Sequence, residues 1–146
     1  MNISKEEYAA LVRAKMPRSP LGKDVLKAFA VGGLICCVGQ VFLDLYAFLG
    51  ADAETAAGWE CVTMVFLGAL LTGLGVYDRI ARHGGAGTLV PITGFANAVA
   101  SPALEFKTEG LVVGLAAKIF TIAGPVIVYG VAASALYGVV LLLFGG

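Results

Sequence analysis

The segment Gly84–Gly110, GGAGTLVPITGFANAVASPALEFKTEG, is uncharged from Gly84 to Leu104, yet Gly84, Gly85, Gly87, Pro91, Gly94 and Pro102 interrupt it. It is apolar enough to enter lipid but cannot be one ordinary helix. A bare amide or carbonyl in hydrocarbon costs several kcal/mol, so irregular backbone at membrane depth survives only inside protein or along a wet cavity. Short segments broken by Gly and Pro are the sequence pointer to a solute or ion pathway.

The surroundings of this segment are those of a membrane protein. Hydrophobic residues make up 59% of the 146, charged residues 14%, and mean hydropathy is +0.89; soluble domains carry about 25% charged residues. Sixteen uncharged residues separate Lys27 from Asp44, and the apolar run continues beyond Asp44, which predicts a span near 25–49. A second uncharged run between Glu60 and Asp78, with Trp59 and Tyr77 at its ends, predicts a span near 57–77. The run Ile119–Gly146 and the apolar Gly110–Ala117 before it give C-terminal spans within 110–145; Gly124-Pro125 leaves open whether they form one helix or two. The expected fold is therefore an all-α, polytopic helical bundle with a broken segment, re-entrant or half-helical, near 84–107.

Basic residues set orientation when loops are short. Lys5, Arg13, Lys15, Arg18, Lys23 and Lys27 precede the first span, and Arg79 and Arg82 follow the second. The intervening loop holds Asp44, Asp52, Glu54 and Glu60 without Lys or Arg. The N-terminus is expected in the cytoplasm. Ser4 and Glu7 have capping-box spacing, and Tyr8, Leu11, Val12 and Met16 share a face until Pro17 and Pro20. Residues 1–24 therefore read as a cytoplasmic amphipathic segment that can meet anionic headgroups, followed by the membrane domain 25–146.

Several function classes lose support. Net charge is zero and the basic residues flank spans, so no nucleic-acid partner is expected. The lone His83 lies beside Arg82 without a Cys or carboxylate cluster, so no metal site, cofactor or catalytic residue is expected. Gly84-Gly85-Ala86-Gly87 lacks the Lys and Ser/Thr of a phosphate loop. Cys36, Cys37 and Cys61 read as small apolar packing groups. The first apolar run follows polar residues and lacks a small-residue exit, so it reads as a retained anchor.

The candidate pathway is the polar stripe on the broken segment. Thr93, Asn97 and Ser101 recur every four residues from Gly94 or just before it, and Glu105 and Glu109 extend the spacing past Lys107. Hydroxyls bonded back to their own carbonyls would be the purely structural alternative. Half-helix starts near Pro91 and Pro102 would each present unsatisfied amides with partial positive charge. Gly94 is placed as a hinge, because glycine reaches left-handed backbone cheaply. Small residues recur as Gly32/Cys36/Gln40, Gly68/Thr72/Val76 and Gly110/Gly114, spacings that let helices approach closely. Gln40 and Lys118 are candidates to face a lumen, although Gln40 can serve as a helix–helix hydrogen bond and Lys118 can reach outward to the interface.

The words GGLICCVGQ (Gly32–Gln40), LTGLGVYDRI (Leu71–Ile80), GAG (Gly85–Gly87) and VPITGFANAVASPALEFKTEGLVVG (Val90–Gly114) closely resemble the SpoVAC/SpoVAE-type membrane subunits of the SpoVA family of endospore-forming bacteria. The basic, proline-containing N-terminal region favours the AC type. The resemblance implies a multi-pass protein of the inner forespore and spore membrane that moves dipicolinic acid with calcium in sporulation and germination. It also implies tension-responsive channel behaviour, and as partners calcium dipicolinate, a SpoVAE-type membrane subunit and a SpoVAD-type soluble subunit. A chain of this size is expected to oligomerise to enclose a lumen. A structural or tethering subunit, whose partners hold the pore, and an ion-coupled secondary transporter are the alternatives.

Overall fold

The computed structural model describes residues 4–15 and 20–145. Helix α1, Lys5–Lys15, starts where the capping box places it: Ser4 N–H donates to Glu7 Oε2 at 3.0 Å, and Glu7 N–H donates to Ser4 Oγ at 3.2 Å. Tyr8, Leu11 and Val12 are exposed on it; Met16, Pro17 and Arg18 lie outside the described residues.

Two glycines cut the first half of the membrane domain into a hairpin. Helix α2, Leu21–Phe48, begins upstream of the expected Val25. It closes on Gly50, whose φ of +95° lets Gly50 N–H reach the Ala47 carbonyl and Ala51 N–H the Tyr46 carbonyl. Helix α3, Ala53–Gly73, is started by Asp52, whose carboxylate accepts from Thr55 N–H at 3.2 Å and from Thr55 Oγ1 at 2.6 Å. It stops at Gly75, φ +67°, by the same pair of bonds, Gly75 N–H to Thr72 and Val76 N–H to Leu71. The second span is thus shifted from the expected 57–77, since the Asp52 cap draws its start forward and Gly75 ends it before Tyr77. The hairpin is pinned by a 2.6 Å hydrogen bond between Tyr46 Oη and Thr63 Oγ1.

Tyr77 instead opens helix α4, Tyr77–Gly84, which buries Tyr77 and Gly84 and exposes Asp78, Arg79, Arg82 and His83. A 3-10 turn, Gly85–Leu89, leads to α5, Pro91–Glu105, with Pro91 in its first turn, where no N–H is needed. Pro102 does not begin a second half-helix, contrary to expectation; α5 runs through it, and Phe106 N–H bonds the Pro102 carbonyl at 3.0 Å. Gly124-Pro125 likewise divides nothing. Helix α6, Ala117–Phe144, passes through it and, with a π-turn at Leu111–Ala116, makes one helical stretch from Leu111 to Phe144. Prolines are tolerated in membrane helices because packed neighbours and local adjustment absorb the lost bond; here α5 and α6 lie against each other. Among the described residues, three stretches are long and apolar enough to span: α2, α3 and Leu111–Phe144.

The remaining segment is re-entrant. Gly87 lies on the backbone of Ala28 and faces Gly32, near the start of α2. Val90, Ile92 and Thr93 line a common cleft with Ile35, Gly39 and Met64, halfway along α2 and α3. Asn97 then meets Thr72 at the end of α3. The 3-10 turn therefore climbs along α2 and α5 descends beside α3, back to the end it left. At 15 residues, α5 is about 22 Å long, too short to cross hydrocarbon about 30 Å thick. Most large apolar side chains face outward, and among the described residues the buried hydrophobic set is small: Ala56, Met64, Tyr77, Ala96 and Ala123. That distribution suits a lipid solvent, in which helices associate through close packing instead of hydrophobic collapse.

Candidate functional site

The site forms where α5 meets α3. Gly68 makes it possible: a Cβ there would lie 3.1 Å from the Thr93 carbonyl and 3.1 Å from the Ala96 side chain. One turn on, Thr72 Oγ1 lies 2.7 Å from the Gly68 carbonyl and 2.9 Å from Asn97 Oδ1. A hydroxyl has a single proton to give. With that proton on Gly68, the contact is fulfilled when the Asn97 amide turns its NH2 toward Thr72, an orientation set by the network rather than by the atoms' positions. Above it, buried Tyr77 donates its hydroxyl to the Thr88 carbonyl at 2.7 Å and lies 3.3 Å from Thr93 Oγ1. Thr88 Oγ1 in turn donates to the Gly85 carbonyl at 2.9 Å. The irregular climbing limb is thereby tied to protein at the depth where it would otherwise face lipid.

Gly94 is buried in regular helix, not at the bend. A Cβ on it would meet Leu89 Cα and the Thr88 carbonyl oxygen, each at 2.9 Å, so it is glycine for close approach. The left-handed positions are Gly85, φ +49°, and Gly110, φ +106°, one at each end of the re-entrant unit.

The tip of the re-entrant unit opens onto a cleft of about 260 Å³ lined by Gln40, Glu60, Val90, Ile92 and Thr93 among others. Helix α5 has no side-chain cap there, so its first amides bring partial positive charge to the cleft. Glu60, read from the sequence as a loop acid, is half-buried within α3, its Oε1 2.8 Å from where a Gly39 Cβ would lie. Gln40 also lines the cleft, with its Nε2 donating to Asp44 Oδ1 at 2.8 Å. The stripe of α2 that holds the re-entrant unit and α3 is Ala28, Gly32, Ile35 and Gly39; Cys36 and Gln40 lie exposed beside it.

Thr93, Gly94 and Asn97 are thus gathered at one junction, and the rest of the stripe is not. Ser101 is half-buried farther along α5, while Glu105, Lys107 and Glu109 are exposed at the return turn. Lys118 lies over the Phe106 ring, its Nζ 4.4 Å from the centroid, a cation–π contact. Gly114 lets this turn seat closely, since a Cβ on it would lie 2.6 Å from the Phe106 carbonyl oxygen. Sequence reasoning missed Tyr77, Thr72 and Thr88 as partners of the stripe. Tyr77 closes an apolar run and reads as a headgroup anchor, and nothing in its spacing pairs it with Thr88.

The SpoVAC/SpoVAEB sporulation membrane protein family matches residues 24–140. Stage V sporulation protein AC of Bacillus subtilis (strain 168) is 46% identical over 141 residues, covering 96% of this chain and 94% of that protein. The chain belongs to the SpoVAC/SpoVAEB family. As a member it is a membrane protein of sporulation. No solved structure matches it. Against the fold, the long family word Val90–Gly114 is α5, its return turn and the start of the last span. The shorter words hold the α2 contact glycines Gly32 and Gly39, the Thr72–Tyr77 turn, and Gly87.

Proposed function

We propose that the chain is a channel-forming subunit that moves dipicolinic acid with calcium across the inner membrane of the forespore and spore, with its basic end in the cytoplasmic compartment. The observation that carries this reading is the re-entrant unit of a sporulation-family membrane protein, which brings an uncapped helix start and Thr93 halfway into the bundle, with Asn97 one turn on, against Thr72 at the end of α3. Dipicolinate holds two carboxylates that chelate calcium, so the complex is strongly dipolar and excluded by hydrocarbon. The α5 amides and Lys107 suit carboxylate oxygens, and Glu60, Glu105 and Glu109 offer the oxygen ligands calcium prefers.

Within one subunit, Asn97 is engaged by Thr72 and Thr93 by Tyr77. In this reading, opening trades those protein partners for water or solute. Interhelical polar pairs in membranes are worth only about 0.6 kcal/mol on average, so the exchange is within reach of modest membrane tension. The lumen then lies at junctions between copies of this chain or between it and SpoVAE-type membrane subunits, with a SpoVAD-type soluble subunit at one face.

The test is reconstitution of the chain alone into vesicles loaded with calcium dipicolinate, with release followed by external terbium luminescence during an osmotic downshift. Release is expected, and Asn97→Leu at equal inserted protein is expected to reduce it. Release that requires the partner membrane subunit and is unaffected by Asn97→Leu would transfer the pore to the partner and leave this chain a tether. Absence of release in both preparations sinks the proposal.

A further inference from the structure

At the basic end of the bundle, a cleft of about 410 Å³ separates the first turns of α2 from the junction of α4 and the 3-10 turn. Its lining includes Lys27 on one wall, Arg82 and His83 on the other, and the apolar Leu21, Val25 and Ala86. Asp24 is the acid of that lining, set against two permanent positive charges and a histidine. The two walls are held apart at a fixed distance by backbone-level contacts. A Cβ on Gly84 would meet Val31 Cγ1 at 2.6 Å, and one on Gly87 would lie 2.8 Å from Ala28 Cα. His83 is oriented as well, its Nδ1 lying 2.8 Å from the Arg79 carbonyl. A carbonyl only accepts, so Nδ1 carries the proton, and Nε2 of the neutral ring is left to accept from an outside donor. Leu21 and Val25 are 77% and 65% exposed, and they flank the cleft where α2 begins its apolar course. A rigid notch with basic walls and apolar sides, at the level where a span starts, matches a phospholipid in cross-section: phosphate above, upper acyl chain below.

We propose that this cleft binds the phosphate headgroup of an anionic phospholipid, with Lys27 and Arg82 on the phosphate and Leu21 and Val25 along the acyl chain. Bound there, the lipid ties the start of α2 to the base of the re-entrant unit, because its phosphate bridges both walls. The site is independent of the transport reading.

The full-length chain, purified in neutral detergent and delipidated, is titrated with phosphatidylglycerol, phosphatidylcholine and inorganic phosphate. Retained lipid is read by native mass spectrometry and the unfolding midpoint in parallel. Phosphatidylglycerol is expected to bind as a single saturable class that raises the midpoint, with phosphatidylcholine and phosphate far weaker. The double variant Lys27→Gln/Arg82→Gln is expected to weaken it about thirtyfold, from the usual gain per basic residue at an anionic surface. Ala86→Leu, which fills the cleft without changing charge, is expected to weaken it as well, while Lys23→Gln, outside the lining, is expected to bind as the parent does. Unchanged binding in the double variant and in Ala86→Leu, or an equal loss in Lys23→Gln, overturns the proposal in favour of diffuse surface charge. Displacement of phosphatidylglycerol by inorganic phosphate overturns it in favour of a free-anion site.

Discussion

The Tyr77 hydroxyl donates to the Thr88 carbonyl at 2.7 Å, joining the first residue of α4 to the climbing limb of the re-entrant unit. Both residues are buried, at 3% and 4% exposure, so water does not substitute for the tyrosine. Tyr77→Phe leaves the ring's packing in place and the carbonyl without this donor. The expected loss is about 1–3 kcal/mol, read as a lower unfolding midpoint in detergent and faster proteolysis between Gly85 and Leu89. A midpoint equal to the parent's would mean that the carbonyl has another partner.

Sidedness follows from the re-entrant path. With Cys36, Cys37 and Cys61 replaced, single cysteines at Arg82 and Lys107 are expected to react with an impermeant reagent from one side of the membrane, and a cysteine at Glu54 from the other. If α5 crossed instead, Lys107 would react together with Glu54.

The glycines separate into two physical classes with opposite signatures. Gly110 has φ +106° and open space where a Cβ would lie, so Gly110→Ala carries a backbone penalty of about 1–3 kcal/mol without any collision. Gly94→Ala keeps helical backbone but pushes a methyl against Thr88 and Leu89 at 2.9 Å, an overpacking cost of about 1–3 kcal/mol. Gly73→Ala, helical and unobstructed, is the neutral control. In graded-suction recordings, Gly110→Ala is expected to move the opening tension, whereas Gly94→Ala is expected mainly to lower the amount of folded protein. The reverse pattern would return the hinge to Gly94.

At the opposite end, the Thr55 hydroxyl and amide beside Asp52 hold its carboxyl below the usual carboxylate range. A depressed folded-state value means that the cap contributes above the ordinary value of 3.8 and is lost as pH falls through the lowered one. Exchange protection of the Thr55 amide is therefore expected to be constant near neutrality and to fall only in strong acid. Asp52→Asn, which caps without titrating, is expected to flatten that profile. An identical acid limb in Asp52→Asn would assign the transition to another group.

How far the sequence carries the structure depends on whether a feature is local. The Ser4–Glu7 box and the broken character of residues 84–107 are written in neighbouring residues, and both are legible. The effect of a proline is not. Pro102 and Pro125 carry the same local signal as Pro91, but only Pro91 starts a helix, because the packing that absorbs a lost N–H comes from residues distant in sequence. The contact stripe of α2 escapes sequence reasoning for a related reason. Gly32, Cys36 and Gln40 are as well spaced as Gly32 and Gly39, and the choice between them is made by Glu60 and Met64 of α3, which periodicity within α2 cannot see. Thr93 and Asn97 stand out as a face, while their partners Tyr77 and Thr72 lie beyond the glycine turn or across the helix pair.

Gly32 and Gly39 lie two helical turns apart on α2, the first against Gly87 and the second against Glu60 and Met64. The first contact is backbone on backbone, with no side chain that can be re-aimed to follow a change in register; the second lies against the side-chain ends of Glu60 and Met64. Adding or deleting one residue between them rotates one contact by about 100° relative to the other, so the two cannot be kept together. Helix α2 thus acts as a measuring rod whose length between these marks is fixed. Substitutions at Leu34 or Val38, which are exposed, are free to drift, but insertions in that interval are not.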